Sequence, residues 1–298
     1  MRKFAIALVT GMALSGTAVA QTGGTLDKVR KSGEITMGVR ESSAPLSYTL
    51  GAGQFAGYHV DLCLAIVDRI KKTLGREVTV KYQPVTSQNR ISLVQNGTVD
   101  LECGSTTNNV ARQKDVAFGL TTYVTEVRMA VKANSGITSI SQLNRKRVAT
   151  TTGTTSVQTL RKHQRAAKID FQEIYGKDHA DSFLLLETGR ADAFVMDDNI
   201  LAGLIANAKN PKDYRIVGEA LSVEPIAVML RKDDPAMKKV VDDTIREMMR
   251  SGALAKLYAK WFLSPIAPRN TNVNLPMGAT LKALFKEPND KPMEAYVK

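Results

Sequence analysis

The sequence predicts an α/β protein of two similarly built lobes with a cleft between them. Three observations carry that expectation. From residue 34 to residue 103, strands and amphipathic helices alternate, which implies a mostly parallel sheet covered by helices. After a strand over 127–132 the pattern restarts. Finally, LVQNGTVDLECG (93–104) is echoed by LLETGRADAFVMDD (185–198). Each has a leucine-bearing helix, a glycine stop, two residues, an aspartate, an apolar strand and a polar strand end.

At 298 residues the chain is long enough for two lobes rather than one core. Its 43% hydrophobic and 23% charged residues are ordinary for a globular protein, so neither a fibrous nor a disordered class fits. Arg2 and Lys3, an apolar run over 4–14 and Ala18-Val19-Ala20 form a cleavable export signal, residues 1–20, with Gln21 as the new N-terminus. The run is too short to span a bilayer, and no cysteine follows the cleavage site to take a lipid. The formal charge of +12 is spread along the chain without a basic run interleaved with aromatics. Nucleic acid is therefore not expected as a partner, and the basicity suits small anions.

The elements follow in order. Residues 23–32 read as a polar lead-in helix, and 34–39 as a strand whose end delivers Arg40 into a loop closed by Pro45. A Gly-rich, hairpin-like segment covers 48–57. A helix over 58–74 has an apolar face through Val60, Cys63, Ile66, Val67 and Ile70, with Lys71 and Lys72 near its C-terminal end. Residues 78–85 alternate as a strand. Ser87 then reads as a helix N-cap, with Arg90 in the first turn, Ile91 and Val94 on the apolar stripe and Gly97 as the stop. Val99, Leu101 and Cys103 alternate as a strand, and 118–125 reads as a polar-aromatic connector. In the second half, strands are read at 147–151, 170–175, 191–196, 214–217 and 224–230. Helices are read at 140–143, from Asp178-His179 to Gly189, and over 234–250 and 252–262, with Trp261 and Phe262 as anchors. The tail from Pro265 is read as sparse in apolar surface until Leu281, Leu284 and Phe285, with fraying last residues.

Chemistry gathers at the strand ends. Gly104-Ser105-Thr106-Thr107 offers hydroxyls and backbone N–H groups to an anion, and Arg112 follows within reach; with Arg90 this suggests a carboxylate clamp. The turn 152–156 lacks the Gly-Lys-Ser/Thr ending of a phosphate loop, so it reads as a helix cap or a carboxylate-binding turn through Thr155. Asp197 and Asp198 either face a ligand or cap a helix, His179 is a contact or a satisfied helix-start histidine, and Ser87 is a contact or a cap. Glu102 reads as structural or surface. Cys63 and Cys103 lie on elements of one lobe, and export permits either a disulfide or two buried thiols; two cysteines do not make a zinc site, and no metal or cofactor is expected.

SQNRISLVQNG, ECGSTTNN, TTGTTS, KDHADSF, MDD, MLRKDDP and ALFKEPND together resemble the periplasmic glutamate/aspartate-binding proteins of ABC transporters, over nearly the whole mature chain. The resemblance implies the type II periplasmic-binding-protein fold. Lobe one would comprise 24–123 and 222–270, lobe two 124–221, with a C-terminal extension over 271–298 and crossovers near 122–125 and 220–224. It implies Arg112 on the ligand α-carboxylate, assisted by Ser105, Thr107 and Thr155, and Asp197 on the α-ammonium. Arg40, Arg90 and His179, with Ser87 nearby, would hold the side-chain carboxylate. Three arginines against Asp197 would give the site a charge of about +2 before His179 is counted. The partners implied are L-glutamate or L-aspartate and inner-membrane permease subunits, with the chain acting as a monomer in the periplasm.

A binding module is thus the expectation. Alternatives are a module for another polar amino acid such as glutamine, an enzyme on the same fold, or a sensor ectodomain. The enzyme reading lacks GxSxG, HExxH and CxxC motifs, and nothing supplies a nucleophile or metal set beside His179.

Overall fold

The computed structural model describes residues 23–296; the expected signal segment lies outside them. Helix α1 (Thr25–Ser32) stops at Gly33 and leads into β1 (Glu34–Val39), whose buried Ile35, Met37 and Val39 seed the first core. A small antiparallel sheet, β2 (Ser42–Ser43), β3 (Ser47–Gly51) and β4 (Gln54–Ala56), contains the expected hairpin in its β3–β4 pair. Helix α2 (Tyr58–Leu74) buries the face read from its 3.6-residue period and ends at Gly75 in the left-handed conformation, where glycine avoids the Cβ penalty. Then come β5 (Thr79–Pro84), α3 (Arg90–Gln95), β6 (Leu101–Glu102), α4 (Val110–Gln113) and β7 (Val116–Phe118).

The chain then builds a second sheet from β8 (Tyr123–Lys132), β9 (Arg147–Thr151), α5 (Thr155–Ala167), β10 (Gln172–Gly176), α6 (His179–Glu187), β11 (Ala193–Asp197), α7 (Asp198–Ala206) and β12 (Tyr214–Ile226). It returns through β13 (Met229–Arg231), α8 (Pro235–Arg250), α9 (Ala253–Phe262) and α10 (Ala279–Lys286). The first sheet runs β5-β1-β6-β13-β7 and the second β10-β9-β11-β8-β12. In the first, β1 is parallel to β5 and β6; in the second, β9 is parallel to β10 and β11; β8, β12 and β13 pair antiparallel. The echoed units fold alike: α3, Gly97 and β6 in one lobe, α6, Gly189 and β11 in the other, with both glycines at positive φ.

The lobes are packed differently. The first core lies mainly against α2, α8 and α9, with Ile66, Ile70, Val241, Ile245 and Phe262 fully buried. The second sheet is covered on both faces: Val131, Leu143 and Leu160 gather on one side, Phe183, Phe194 and Ile200 on the other. Phe262 stacks on Tyr123 at 4.8 Å and on Tyr258 at 4.4 Å, so α9 grips the start of β8 where the chain passes between lobes.

Several expectations are corrected. The stretch 118–125 is not simply a connector: β8 begins at Tyr123, because residues 123–127 pair with 222–226 across the chain. The strands expected at 214–217 and 224–230 are instead one long bent β12, with a register shift between Val217 and Ser222, and a separate short β13. Ala227 and Val228 between them carry the chain back to the first sheet. Ser87 does not cap α3; Asn89 holds the N-cap position, and its side chain and that of Thr86 bond each other's backbone N–H. The tail is tied down as far as residue 294, with residues 289–294 bonding Asn108, Val110 and Thr121; the last two residues of the chain lie outside the described ones.

Cys63 on α2 and Cys103 after β6 form a disulfide across a sequence separation of 40 residues, which settles the open alternative. A cross-link of that span should stabilise the fold by about 2–4 kcal/mol through the unfolded chain. We expect the Cys63→Ser/Cys103→Ser double variant to lose about that much in urea unfolding, and wild type in strong reductant to match it. An unchanged urea midpoint would show that the bridge adds no constraint.

Candidate functional site

The carboxyl ends of the parallel strands in the two sheets face one another, the place where open α/β sheets put ligands. β1 delivers Arg40, β6 leads into 104–107, β9 into 151–155, β10 into Asp178-His179, and β11 ends in Asp197. Ser87, Arg90, Ser105, Thr107, Thr155, His179 and Asp197 line one small interlobe cavity of about 10 Å³, joined by Thr154 and Met196. Arg40 and Arg112 stand at its border. Arg112 faces an adjoining groove with Asn109, residues 152–155, Arg161 and Tyr175.

Arg40 has no exposed surface. Its guanidinium donates to Ser105 Oγ at 3.2 Å and Ser87 Oγ at 3.1 Å, pairs with Asp178 Oδ1 at 2.5 Å and lies 3.3 Å from His179 Nε2. Asp178 Oδ2 accepts from Ser42 Oγ at 2.7 Å. Arg40 and Ser42 belong to the first lobe and Asp178 to the second, so this ion pair spans the cleft. Gly104 is needed here because a Cβ would collide with Glu102 Oε1 and the Arg40 side chain. Gly153 is needed too: its φ is +80°, and a Cβ would lie 2.7 Å from Gln88 Cα across the cleft.

Arg112 sits on α4, whose N-cap Asn109 accepts from Arg112 N at 2.8 Å. Its guanidinium donates to Thr107 O at 2.9 Å and Gly153 O at 3.4 Å. Arg90 differs. It is 2% exposed, yet its Nε and one terminal nitrogen have no hydrogen-bond partner among the described residues. Burial, then repulsion from Arg112 and Arg40, destabilise its charge, while Glu102 and Asp197 oppose that shift.

Acids surround these cations. The Asp197 side chain faces the cavity, whereas Asp198 is taken up within its own lobe: its Oδ1 accepts from the Thr125 hydroxyl at 2.7 Å and from Asn199 N at 2.7 Å. Burial raises the Asp197 pKa well above the carboxylate range, reinforced by Glu224 and Asp198 and opposed by Arg90 and Arg112. Glu224, fully buried on β12, accepts through Oε2 from Thr107 Oγ1 and Thr155 Oγ1, both at 2.6 Å, and through Oε1 from Ser222 Oγ at 2.9 Å. It therefore receives a hydroxyl from each lobe. Glu102 is fully buried, not at the surface, and accepts from Thr106 Oγ1 at 2.7 Å. Burial opposes ionisation of Asp178, but the Arg40 charge and the bonds from Ser42 and Arg40 outweigh it and lower its pKa. Burial and Arg40 keep His179 neutral against the pull of Asp178. The expected surplus of +2 is thus corrected: three guanidinium groups share this region with Asp178, Asp197, Glu102 and Glu224.

Asp178, Glu224 and His59 escaped the sequence reading as site residues. Asp178 reads as a helix opener, and Glu224 showed only as a polar residue in an apolar strand. His59, on α2, places Nδ1 2.5 Å from Gly104 O and Nε2 2.7 Å from Thr122 Oγ1. The carbonyl can only accept, so Nδ1 carries the proton, while Nε2 lies against the Thr122 hydroxyl, which also reaches Ile226 O at 3.2 Å. His59 thereby ties the 104–107 strand end to the lobe junction.

A family model for bacterial extracellular solute-binding proteins, family 3, matches residues 35–264. The chain belongs to that family. It is 48% identical over 290 residues to the glutamate/aspartate import solute-binding protein of Escherichia coli (strain K12), covering 97% of this chain and 96% of the relative. The L-glutamate/L-aspartate-binding protein of Pseudomonas aeruginosa is 44% identical, with coverage of 97% and 96%. A solved substrate-binding protein of an amino acid ABC transporter superposes with a TM-score of 0.68 at 28% identity, covering 77% of this chain and 99% of that one. The two α/β lobes are the type II periplasmic-binding-protein fold. No helix among the described residues is long and apolar enough to cross a membrane.

The buried histidine gives this family member a testable pH response. Burial lowers His59 to about 4, against the donated bond to Gly104. An unfolded histidine titrates near 6.5, so between about 6.5 and 4 the unfolded chain binds a proton the folded chain does not. The His59 contribution to stability is therefore intact above that window and falls as pH drops through it. We expect the stability of wild type relative to His59→Gln to decline by as much as about 1.4 kcal/mol per pH unit below pH 6.5. Parallel urea-midpoint curves for the two proteins between pH 7 and 4.5 would sink this assignment.

Proposed function

We propose that the chain is the periplasmic solute-binding component of an ABC importer, capturing L-glutamate or L-aspartate between its lobes and delivering it to a membrane permease. The observation that carries this reading is Arg90: a guanidinium buried at 2% exposure, lining the interlobe cavity, with two nitrogens unpartnered among the described residues. A buried cation in that state calls for an anion, and a carboxylate answers it with charge-assisted bonds. The two relatives named for glutamate and aspartate agree, and each covers nearly the whole chain.

The residue roles follow from donor and acceptor capacity. Arg90 takes the side-chain carboxylate, with Ser87 and His179 beside it and Arg40 behind, already paired to Asp178. Arg112 takes the α-carboxylate from the other border, while Ser105, whose hydroxyl accepts from Arg40 and donates to Ser43, stands on the Arg40 side. Thr107 and Thr155 donate their hydroxyl hydrogens to Glu224, so their oxygens present lone pairs to the cavity. Lone pairs suit an ammonium, so we move these two threonines from the carboxylate to the α-ammonium, alongside Asp197.

Lobe one as 24–123 with 222–270, and lobe two as 124–221, would close about the paired stretches 123–127 and 222–226. Residues 1–20 would direct export and then be removed, leaving a periplasmic monomer. Capture without turnover is the expected activity, since the Thr107 and Thr155 hydroxyls already donate to Glu224 and both His179 ring nitrogens are engaged, by Arg40 and Thr151.

Isothermal titration of the mature chain should show one site for glutamate or aspartate and no product. Glutamine, which lacks the second carboxylate, should bind roughly 100-fold more weakly, and Arg90→Ala should weaken glutamate by a similar factor. Unchanged glutamate affinity in Arg90→Ala would remove the assigned role, and no heat with either acid would remove the function.

A further inference from the structure

The C-terminal segment fastens the loop that carries the ligand-facing groups. Asn108 lies between Thr107 and Arg112 and is fully buried. Its backbone N donates to Pro225 O on β12 at 2.9 Å, and its carbonyl accepts from Met293 N at 2.9 Å. Its side-chain Nδ2 donates to Asp290 O at 2.8 Å, while Oδ1 accepts from Gln113 Nε2 at 2.8 Å. Two residues on, Val110 N donates to Glu294 Oε2 at 3.1 Å. Thr121 N, just before β8, donates to Asn289 O at 2.9 Å. Lys238 on α8 holds the segment from outside, with Nζ 2.9 Å from Asp290 Oδ2. All these partners lie in the first lobe or at the passage between lobes. Across a groove from Met293, Glu294 and Tyr296 stand Gln158 and Lys162 of α5 in the second lobe.

The segment also lies beyond the part of the chain that the family model matches, which ends at residue 264. None of its residues lines the interlobe cavity. We propose that residues 289–296 are a brace that positions the loop 105–112 against β12, and so sets how tightly and how long the ligand is held without touching it. The ligand named in the test rests on the function proposed above.

The physical argument is one of preorganisation. A loop that must present Ser105, Thr107 and Arg112 together costs ordering entropy on binding unless the fold has already ordered it. Asn108 is the middle of that loop, and the segment supplies two of its four bonds. A brace bonded to one lobe and the passage leaves the second lobe free to swing, while the groove along α5 takes up the movement.

The test uses the mature full chain, a chain ending at Glu287, and the variants Met293→Pro and Met293→Leu. Proline removes the N–H that Asn108 O accepts, at a position with helical geometry that tolerates it; leucine keeps the N–H and a similar side-chain volume. We expect the truncated chain to bind glutamate about tenfold or more weakly, mainly through faster release, and Met293→Pro about three- to tenfold more weakly. Met293→Leu should match wild type. Hydrogen exchange of the ligand-free truncated chain should show faster exchange at the Val110 and Thr121 amides. Wild-type affinity in both the truncated chain and Met293→Pro overturns the brace. If the truncated chain does not fold, the Met293→Pro and Met293→Leu pair decides. If the full chain binds no glutamate, the functional reading fails on its own; exchange at residues 105–113 then decides, faster exchange supporting the brace and unchanged exchange overturning it.

Discussion

Burying a guanidinium costs several kcal/mol unless something answers its charge, and this fold buries three in one place. Each is answered differently. Arg40 is paired within the protein, by Asp178 from the opposite lobe and by two serine hydroxyls. Arg112 is held by backbone carbonyls from both lobes, with Glu224, Glu102 and Asp197 favouring its charge. Arg90 is left with repulsion from both neighbours and only distant help from Glu102 and Asp197. The unmet cost of the closed arrangement is therefore concentrated at one side chain. A ligand that supplies a carboxylate there interacts with the closed form more strongly than with an open one in which Arg90 reaches water. That differential interaction is what shifts a two-lobed protein toward closure.

Closure also needs contacts that report the relative position of the lobes. Glu224 does this by geometry. It sits on β12 beside the lobe junction and accepts one hydroxyl from Thr107 and one from Thr155, which approach each other to 3.4 Å. The Arg40–Asp178 pair spans the cleft elsewhere, and Gly153 lets the turn after β9 lie directly on the Gln88 backbone. Behind the first lobe's strand end, His59 and the Cys63–Cys103 disulfide both hold the segment around Gly104 to α2. One side of the cleft is thus rigidly backed, and motion is left to the paired strands between the lobes.

Local signals made much of this legible. The two echoed units could be read because helix, glycine stop and strand are neighbours in sequence, and the structure folds both alike. Arg90, Ser105, Thr107, Thr155, His179 and Asp197 were found because each follows a strand end or opens a helix. What escaped depends on partners far away in the chain. Ser87 reads equally as a contact or a cap, because what decides between them is Arg40, 47 positions earlier, whose guanidinium its hydroxyl serves. Asp178 could not be matched to Arg40 without knowing that the two lobes meet there. Glu224 lies within a strand whose extent is set by pairing with residues about a hundred positions earlier. The tail looked loose because its bonds, made by backbone groups and by the Asp290 and Glu294 side chains, go to residues far earlier in the chain, and composition carries no trace of those.

The four nearby carboxylates change how preference for an acidic amino acid must be understood. With three guanidinium groups alone, selection could come from positive potential, and any small anion would benefit. Here Asp178, Glu102 and Glu224 stand against the three guanidinium groups, while burial favours the neutral form of Asp197. What survives is local: one cation without a partner at Arg90, a second bordering the cavity at Arg112, and between them lone pairs and a carboxyl suited to an ammonium. A neutral side chain would enter such a site at little gain and leave Arg90 unanswered, which is where discrimination in buried polar sites arises. The long-range attraction of an anionic solute is left to the basic excess of the chain as a whole, which acts before any contact forms. Attraction and selection are thereby separated, the first spread over the chain and the second concentrated at a single guanidinium.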